Sequence, residues 1–332
     1  MDFNFSRVRN HTSVVETKHV KVLILGSGPA GLAAALYAAR ANLNPVVLTG
    51  MELGGQVSLT YTVENYPGFP EGVGGTELVE LFQKQAERFG ASIVFDTAES
   101  VDLSQKPFRI NTYNGEYITD SLIISTGATP LHLNIPGETE YIGKGVSYCA
   151  NCDGWFFKDK DLIVAGGGDS AVEESLFLTR YAKNVTIVHR RDSLRAGAVL
   201  QKLAMVNPKI NILWNTVLTE IVGPDSVKSV QLLNVLSGEK SKMPVDGVFI
   251  FIGHAPNTKL FRGQIELDQQ GYIITNKLMQ TNIPGVFAAG ESADPYFRQV
   301  ITSAGMGAAA AIQVNLYLNE ISSELVDETL VK

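Results

Sequence analysis

The sequence predicts an α/β protein of two parallel-sheet domains, the second inserted into the first. Three observations carry this expectation. A short apolar β run, a glycine turn and an alanine-rich helical stretch occur twice, around Gly26 and around Gly166, each followed by a second β run. Such βαβ units build parallel sheets. Each half then passes through further β-like runs and leaves through an apolar strand ending in glycine, at Gly127 and at Gly253. A third strand-and-glycine run, Gly285 to Glu291, precedes another alanine-rich helix and returns the chain to the first domain.

Taken in order, residues 21–25 form the first β run and Gly26-Ser27-Gly28-Pro29-Ala30-Gly31 the turn, with helix over 32–41 and a strand over 45–48. Residues 100–125 hold several β-like runs. The second unit has a strand over 161–165, the turn Gly166-Gly167-Gly168-Asp169-Ser170-Ala171, helix to about Lys183 and a strand over 185–188. A similar β series ends at Gly253, and the last helix runs from about Ser303 to Leu318. The expected layout is a polar tail over 1–19, one domain over 20–127 and 254–332, and an inserted domain over 128–253.

Composition narrows the function. With 332 residues, 45% hydrophobic and 18% charged, the chain has the profile of a globular protein of about two domains. Its 27 basic against 34 acidic side chains leave a net charge of −7. No sequence-wide basic surface exists to attract phosphate backbones, so nucleic acid is not an expected partner. The first twenty residues contain no apolar core of signal-peptide length, and cytoplasmic residence is expected. Val22 to Ala39 is uncharged, but Gly-Ser-Gly-Pro in its middle would leave backbone groups unpaired in lipid. No membrane span is expected.

Gly-x-Gly-x-x-Gly between a strand and a helix is a dinucleotide fingerprint, because its glycines permit a tight turn and close approach of the backbone to a pyrophosphate that faces the helix N-terminus. The domains are therefore expected to be Rossmann-like, three-layer ββα and dinucleotide-binding. A carboxylate at the end of the next strand reads an unphosphorylated ribose. In the first unit that place holds Thr49-Gly50-Met51-Glu52, without the expected terminal acid. In the second the strand ends in His189-Arg190-Arg191, with Arg195 close behind. Guanidinium groups there suit a 2′-phosphate, so NADP is expected over NAD, against the alternative of a solvated basic turn.

Both cysteines fall in Cys149-Ala150-Asn151-Cys152-Asp153. Zinc usually needs four ligands and no histidine lies nearer than His132, so no metal is expected. Two buried thiols are a further alternative, but the spacing best fits a reversible dithiol, with Asp153 placed to move a proton to and from a departing thiolate. NADPH delivers hydride and a disulfide accepts electrons through thiolate chemistry. A flavin mediates between the two, which makes the first turn most economically an FAD site.

These residues together resemble the low-molecular-weight thioredoxin reductases, FAD-dependent members of the pyridine nucleotide-disulfide oxidoreductases. The resemblance runs from about residue 20 to 320, through Gly26 to Gly31, Thr49-Gly-Met-Glu-Leu-Gly-Gly-Gln56, Val63-Glu-Asn65-Tyr-Pro-Gly68, Cys149 to Gly154, Gly166 to Ala171, His189-Arg-Arg191, Gly253-His-Ala-Pro-Asn257, Gly285 to Gly290 and Arg298-Gln299. It implies FAD on Gly26, Ser27, Gly28, Pro29, Ala30, Gly31, Thr49, Gly50, Met51, Glu52, Gly55, Gln56, Asn65, Thr126, Gly127, Gly290, Glu291, Arg298, Gln299 and Val300. It implies NADPH on Gly166, Gly168, Asp169, Ser170, Ala171, His189, Arg190, Arg191 and Arg195. Cys149 and Cys152 would be the catalytic pair, the second nearer the flavin and the first attacking thioredoxin or a thioredoxin-like protein, with Asp153 the acid.

The resemblance also implies a homodimer and a rotation of the NADPH domain between half-reactions. Two departures stand out. Glu291 occupies a position where the family usually has Asp, and Asn151 replaces the more usual Thr or Val. Two alternatives keep the fold: a related flavoenzyme reduced by ferredoxin, which would be expected to lack the arginine cluster, and a redox sensor that does not turn over.

Overall fold

The structure, a computed structural model, describes residues 16–60 and 62–330. The chain divides into two compact units, one comprising Met1–Gly55, Val79–Gly127 and Thr258–Lys332, the other Gln56–Leu78 and Ala128–Asn257. Most of the stretch read as a polar tail lies outside the described residues. Its end does not, because strand β1 (Thr17–Leu25) already includes Thr17, Lys18 and His19.

In the first unit β1 is followed by α1 (Pro29–Arg40), β2 (Val46–Leu48), α2 (Gly75–Arg88), β3 (Ser92–Val94), β4 (Ala98–Asp102), β5 (Phe108–Thr112) and β6 (Glu116–Ile124). The first turn of α2 belongs to the segment grouped with the second unit. Strands β3, β2, β1 and β6 pair in parallel in that order, and β5 and β4 continue the sheet antiparallel. Alternation along β1 explains the layering. Val22 and Ile24 pack with the alanines of α1, whereas Leu23 and Leu25 face a second core with Phe108, Ile110 and Phe261. The uncharged stretch from Val22 to Ala39 is thus a buried strand, a turn and a buried helix.

The second unit contains β7 (Ala128–Pro130), β8 (Val146–Ser147), α3 (Ala150–Asp153), β9 (Asp161–Gly166), α4 (Asp169–Leu178), β10 (Asn184–Val188), α5 (Ala198–Val206) and β11 (Ile210–Leu213). It continues through β12 (Thr216–Val222), β13 (Ser229–Asn234), β14 (Lys240–Pro244), β15 (Gly247–Phe251) and β16 (His254–Pro256). A parallel five-stranded sheet runs β11-β10-β9-β15-β8, β12 to β14 form an antiparallel sheet, and β7 pairs with β16. The central strands β9, β10 and β15 of the parallel sheet are mostly apolar and almost wholly buried, as a sheet covered on both faces requires. Helix α4 stops at Leu178, short of the expected Lys183, because Lys209 Nζ donates to the carbonyls of Thr179 and Ala182 and closes the helix end.

The chain then returns to the first unit. Strand β17 (Val286–Ala288) pairs in parallel with the C-terminal half of β6, and α6 (Val300–Leu330) lies against α1. Helix α6 outruns the expected end at Leu318, since residues 319–330 contain neither Gly nor Pro to break it. Among the described residues no helix is long and apolar enough to cross a membrane.

Candidate redox and dinucleotide sites

The first glycine turn is shaped by contacts that only glycine tolerates. Gly26 has φ of 105° and its N–H donates to the Leu48 carbonyl at 2.9 Å. A Cβ on Gly31 would lie 1.9 Å from the Gly26 carbonyl oxygen, so the helix can approach its own turn only without a side chain there. Gly28 is the N-cap of α1, Pro29 follows it, and no side chain caps the first turn. The first-turn N–H groups are therefore left for an anion, as the fit of a pyrophosphate demands.

Ser27, 2% exposed, ties this turn to the loop after β2. Its hydroxyl lies 3.3 Å from the Glu52 carbonyl oxygen and accepts from Gly54 N–H at 3.1 Å. Thr49 and Gly50 are fixed through backbone bonds to Val94 and Asp96, and a Cβ on Gly55 would sit 3.7 Å from Gly28 Cα. Met51 projects outward, 88% exposed. Thr126 and Gly127 follow β6, where Ser125 Oγ donates to the Leu25 and Gly26 carbonyls. Ser125 was not read as a candidate, because its role depends on β6 lying beside β1. Gln56 and Asn65 belong to the segment grouped with the second unit.

From the returning segment, Gly290 comes against Ala30, whose Cβ would be 2.8 Å from a Cβ placed on Gly290. Asp294, which the sequence did not single out, accepts from the N–H groups of Tyr296, Phe297 and Arg298 and so turns the chain through Gln299 into α6 at Val300. Burial pushes the Glu291 carboxyl up to about 7, with Arg298 opposing the shift and Asp294 adding to it.

The sign of the Glu291 shift fixes a stability prediction. Between pH 4.5 and about 7 the folded chain keeps a proton that the unfolded chain releases, so stability falls as pH rises through that window. The cost above it is on the order of 3 kcal/mol. Glu291→Gln is expected to raise the melting midpoint of flavin-free protein by several degrees at pH 8 and to change it little near pH 4.5. Thermal unfolding at the two pH values checks this.

The second turn has a different companion. Gly168 caps α4 without a side-chain bond, and the loop after β10 folds back over it through Arg195 N–H and Ala196 N–H, both donating to the Gly167 carbonyl. Asp169 accepts from Gly197 N–H at 2.7 Å, and Arg195 Nη2 lies 3.8 Å from a Cβ position on Gly168. Gly166 packs on the buried Ala171, and Ser170 is exposed at the helix start. His189 Nδ1–H donates to the Gly166 carbonyl at 2.8 Å while its ring fills the space where Gly167 would carry a Cβ. Its buried Nε2 has no partner among the described residues. Arg190, Arg191 and Arg195 are exposed, and no carboxylate pairs with them among the described residues. Free guanidinium groups around an uncapped glycine turn fit a nicotinamide dinucleotide with a 2′-phosphate.

In the same unit Cys149 and Cys152 form a disulfide, with Cα atoms 5.3 Å apart. Cys149 begins α3, and Cys152 N–H donates to its sulfur at 3.2 Å. Burial raises the Asp153 carboxyl above the usual range, and a hydrogen bond with Ser147 opposes it. Ser147, buried and unflagged by the sequence, also accepts from Cys149 N–H at 3.1 Å. Trp155 and Phe156 follow after Gly154 and are 58% and 50% exposed. No group of His, Cys, Asp or Glu among the described residues could hold a metal ion.

Two dinucleotide-type turns and a disulfide next to a partly buried acid define a class, that of proteins passing electrons between a bound nucleotide and a thiol pair. The sequence profile of the pyridine nucleotide-disulphide oxidoreductases matches residues 20–307, and the chain belongs to that family. It is 52% identical over 305 residues to thioredoxin reductase of Rickettsia felis, covering 90% of this chain and 98% of that one. Thioredoxin reductase of Coxiella burnetii is 47% identical over 314 residues, covering 92% and 98%. Among solved structures, thioredoxin reductase from Streptococcus pyogenes is similar with a TM-score of 0.88 and 42% identity, over 92% of this chain and all of that one.

Proposed function

We propose that the protein is an NADPH-dependent thioredoxin-disulfide reductase, with FAD at the first glycine turn and NADPH at the second. The observation that carries this is the Cys149–Cys152 disulfide beside the partly buried Asp153, within the unit that also presents the unpaired arginines. Bound FAD supplies the two-electron relay between nicotinamide and disulfide. The chain's residues do the rest.

Reduction of the Cys149–Cys152 bond takes two electrons and two protons and leaves two thiols. Cys149, whose sulfur accepts Cys152 N–H, is the thiol better held as thiolate and attacks one sulfur of the thioredoxin disulfide, displacing the other. Cys152 then attacks Cys149 in the mixed disulfide, which releases reduced thioredoxin and restores the internal bond. Asp153 supplies the proton that the leaving thiolate needs, and burial keeps that proton on the carboxyl to higher pH than an exposed aspartate would. Trp155 and Phe156 offer an apolar rim for a protein substrate.

Asp153→Asn is expected to slow thioredoxin reduction about 100-fold while leaving flavin reduction by NADPH unchanged. Stopped-flow measurement of the two half-reactions separates them. The assignment as a whole is tested by steady-state NADPH oxidation with oxidised thioredoxin as acceptor. Oxidation without a requirement for thioredoxin, or faster reduction by ferredoxin than by NADPH, would contradict it.

The working form is a cytoplasmic homodimer. Ile301, Ile312 and Leu316 are exposed on α6, the second and third about three and four turns beyond the first, which places them along one face of the helix. Sedimentation of the holoenzyme at micromolar concentration is the check.

A further inference from the structure

Beside the redox pair sits a polar cluster that the electron path above does not use. The Glu138 side chain is 2% exposed, yet it carries no cationic Lys or Arg partner among the described residues. Its Oε1 accepts from the Tyr148 hydroxyl at 2.7 Å and from Leu133 N–H at 3.0 Å, and its Oε2 accepts from Asn134 N–H at 2.7 Å. His132, 37% exposed, places Nδ1 3.2 Å from Glu138 Oε1 and 2.9 Å from the Tyr148 hydroxyl oxygen. Since the tyrosine proton points to Glu138, both contacts require the hydrogen on Nδ1. The two rings also meet edge to face.

Burial alone would push the Glu138 carboxyl up, but the tyrosine hydroxyl and the loop N–H groups outweigh it and hold the group below the ordinary glutamate range. The Tyr148 hydroxyl is raised, by burial first and then by its bond to the Glu138 carboxylate. The result is an ionised carboxylate with fixed donors, an anchor rather than a proton carrier at neutral pH.

Tyr148 immediately precedes Cys149. The sheet gives this stretch little other support, because β8 is an edge strand that pairs with β15 only at Val146 and Ser147. With the disulfide closed, Cys149 is held covalently. With it open, the covalent tie is gone, ladder pairing ends two residues earlier, and among the described residues the backbone of Cys149 keeps only short-range bonds, its N–H to Ser147 Oγ and its carbonyl to Asp153 N–H. Taking Cys149–Cys152 as the redox pair, we propose that Glu138 is a positioning residue, acting through Tyr148 to keep Cys149 within reach of Cys152 when the dithiol is open. The charge-assisted bond from Tyr148 is the tether, and His132 and the N–H groups of Leu133 and Asn134 fix its far end.

The test is the closure equilibrium of the pair, measured on holoenzyme in glutathione redox buffers by quantifying free thiols. Tyr148→Phe keeps the ring packing and removes the donor, while Glu138→Gln removes the charge. Each is expected to weaken disulfide closure relative to glutathione about tenfold, the scale of one charge-assisted hydrogen bond. The double variant is expected to match the single ones, because both act through one bond. Flavin content reports folding, and His132→Asn, which removes the imidazole from the Tyr148 hydroxyl and from Glu138 but keeps the Tyr148–Glu138 bond, should give a smaller shift in the same direction if Glu138→Gln fails to fold. Closure within twofold of the parent in Tyr148→Phe, or effects that multiply in the double variant, would overturn the proposal. Because glutathione replaces NADPH as reductant, this outcome is independent of whether NADPH is the donor.

Discussion

Cys152→Ser is expected to abolish thioredoxin reduction, lowering its rate by at least about three orders of magnitude, while the flavin spectrum and NADPH oxidation with an artificial acceptor stay intact. The chain has two cysteines, both in the one disulfide, so no other thiol can take over. Cys149 alone can still attack a protein disulfide, but without Cys152 the mixed disulfide has no internal thiol to resolve it. Variant incubated with excess oxidised thioredoxin should therefore form a covalent adduct, visible by non-reducing electrophoresis after the remaining thiols are blocked. Cys149→Ser should lose turnover equally without that adduct. A Cys152→Ser protein that still turned over would refute the assignment of the pair.

The second large effect concerns the nicotinamide donor. Arg190 and Arg191 follow the end of β10, and Arg195 is drawn to the glycine turn through its backbone N–H, which donates to the Gly167 carbonyl. Exposed guanidinium–phosphate contacts each contribute on the order of 1 to 2 kcal/mol. Removing two of them in Arg190→Ala/Arg191→Ala should raise KM for NADPH about 100-fold and leave KM for NADH within about threefold. The preference between the donors then collapses because the lost contacts served only the 2′-phosphate. Equal losses toward NADPH and NADH would place these arginines elsewhere than at that phosphate.

What the sequence made legible was local. Gly26 to Gly31 and Gly166 to Ala171 announce their turns because glycine is required where backbone meets backbone within a few residues, and Cys149 and Cys152 announce their pairing because one helical turn brings them together. The alternation of Val22, Leu23, Ile24 and Leu25 likewise encodes both faces of β1. Residues whose roles depend on distant partners were silent. Ser125 matters because β6 lies beside β1, and the end of α4 is set by Lys209, about thirty positions downstream. Glu138 looks like an ordinary surface acid until Tyr148 and three loop residues close over it. The grouping of Gln56–Leu78 with the second unit also carried no local signal, whereas α2, which begins inside it, did carry one in the helical spacing of Leu78, Val79, Phe82 and Ala86.

In the proposed reaction, electrons from NADPH open the Cys149–Cys152 bond. Thiol titration of the holoenzyme before and after anaerobic addition of excess NADPH tests it directly. The bond is intact at the outset, so no free thiols should be found in the oxidised protein and two per chain should appear on reduction, with no such gain when NADPH is omitted. Bleaching of the flavin by NADPH without the appearance of those two thiols would contradict the account.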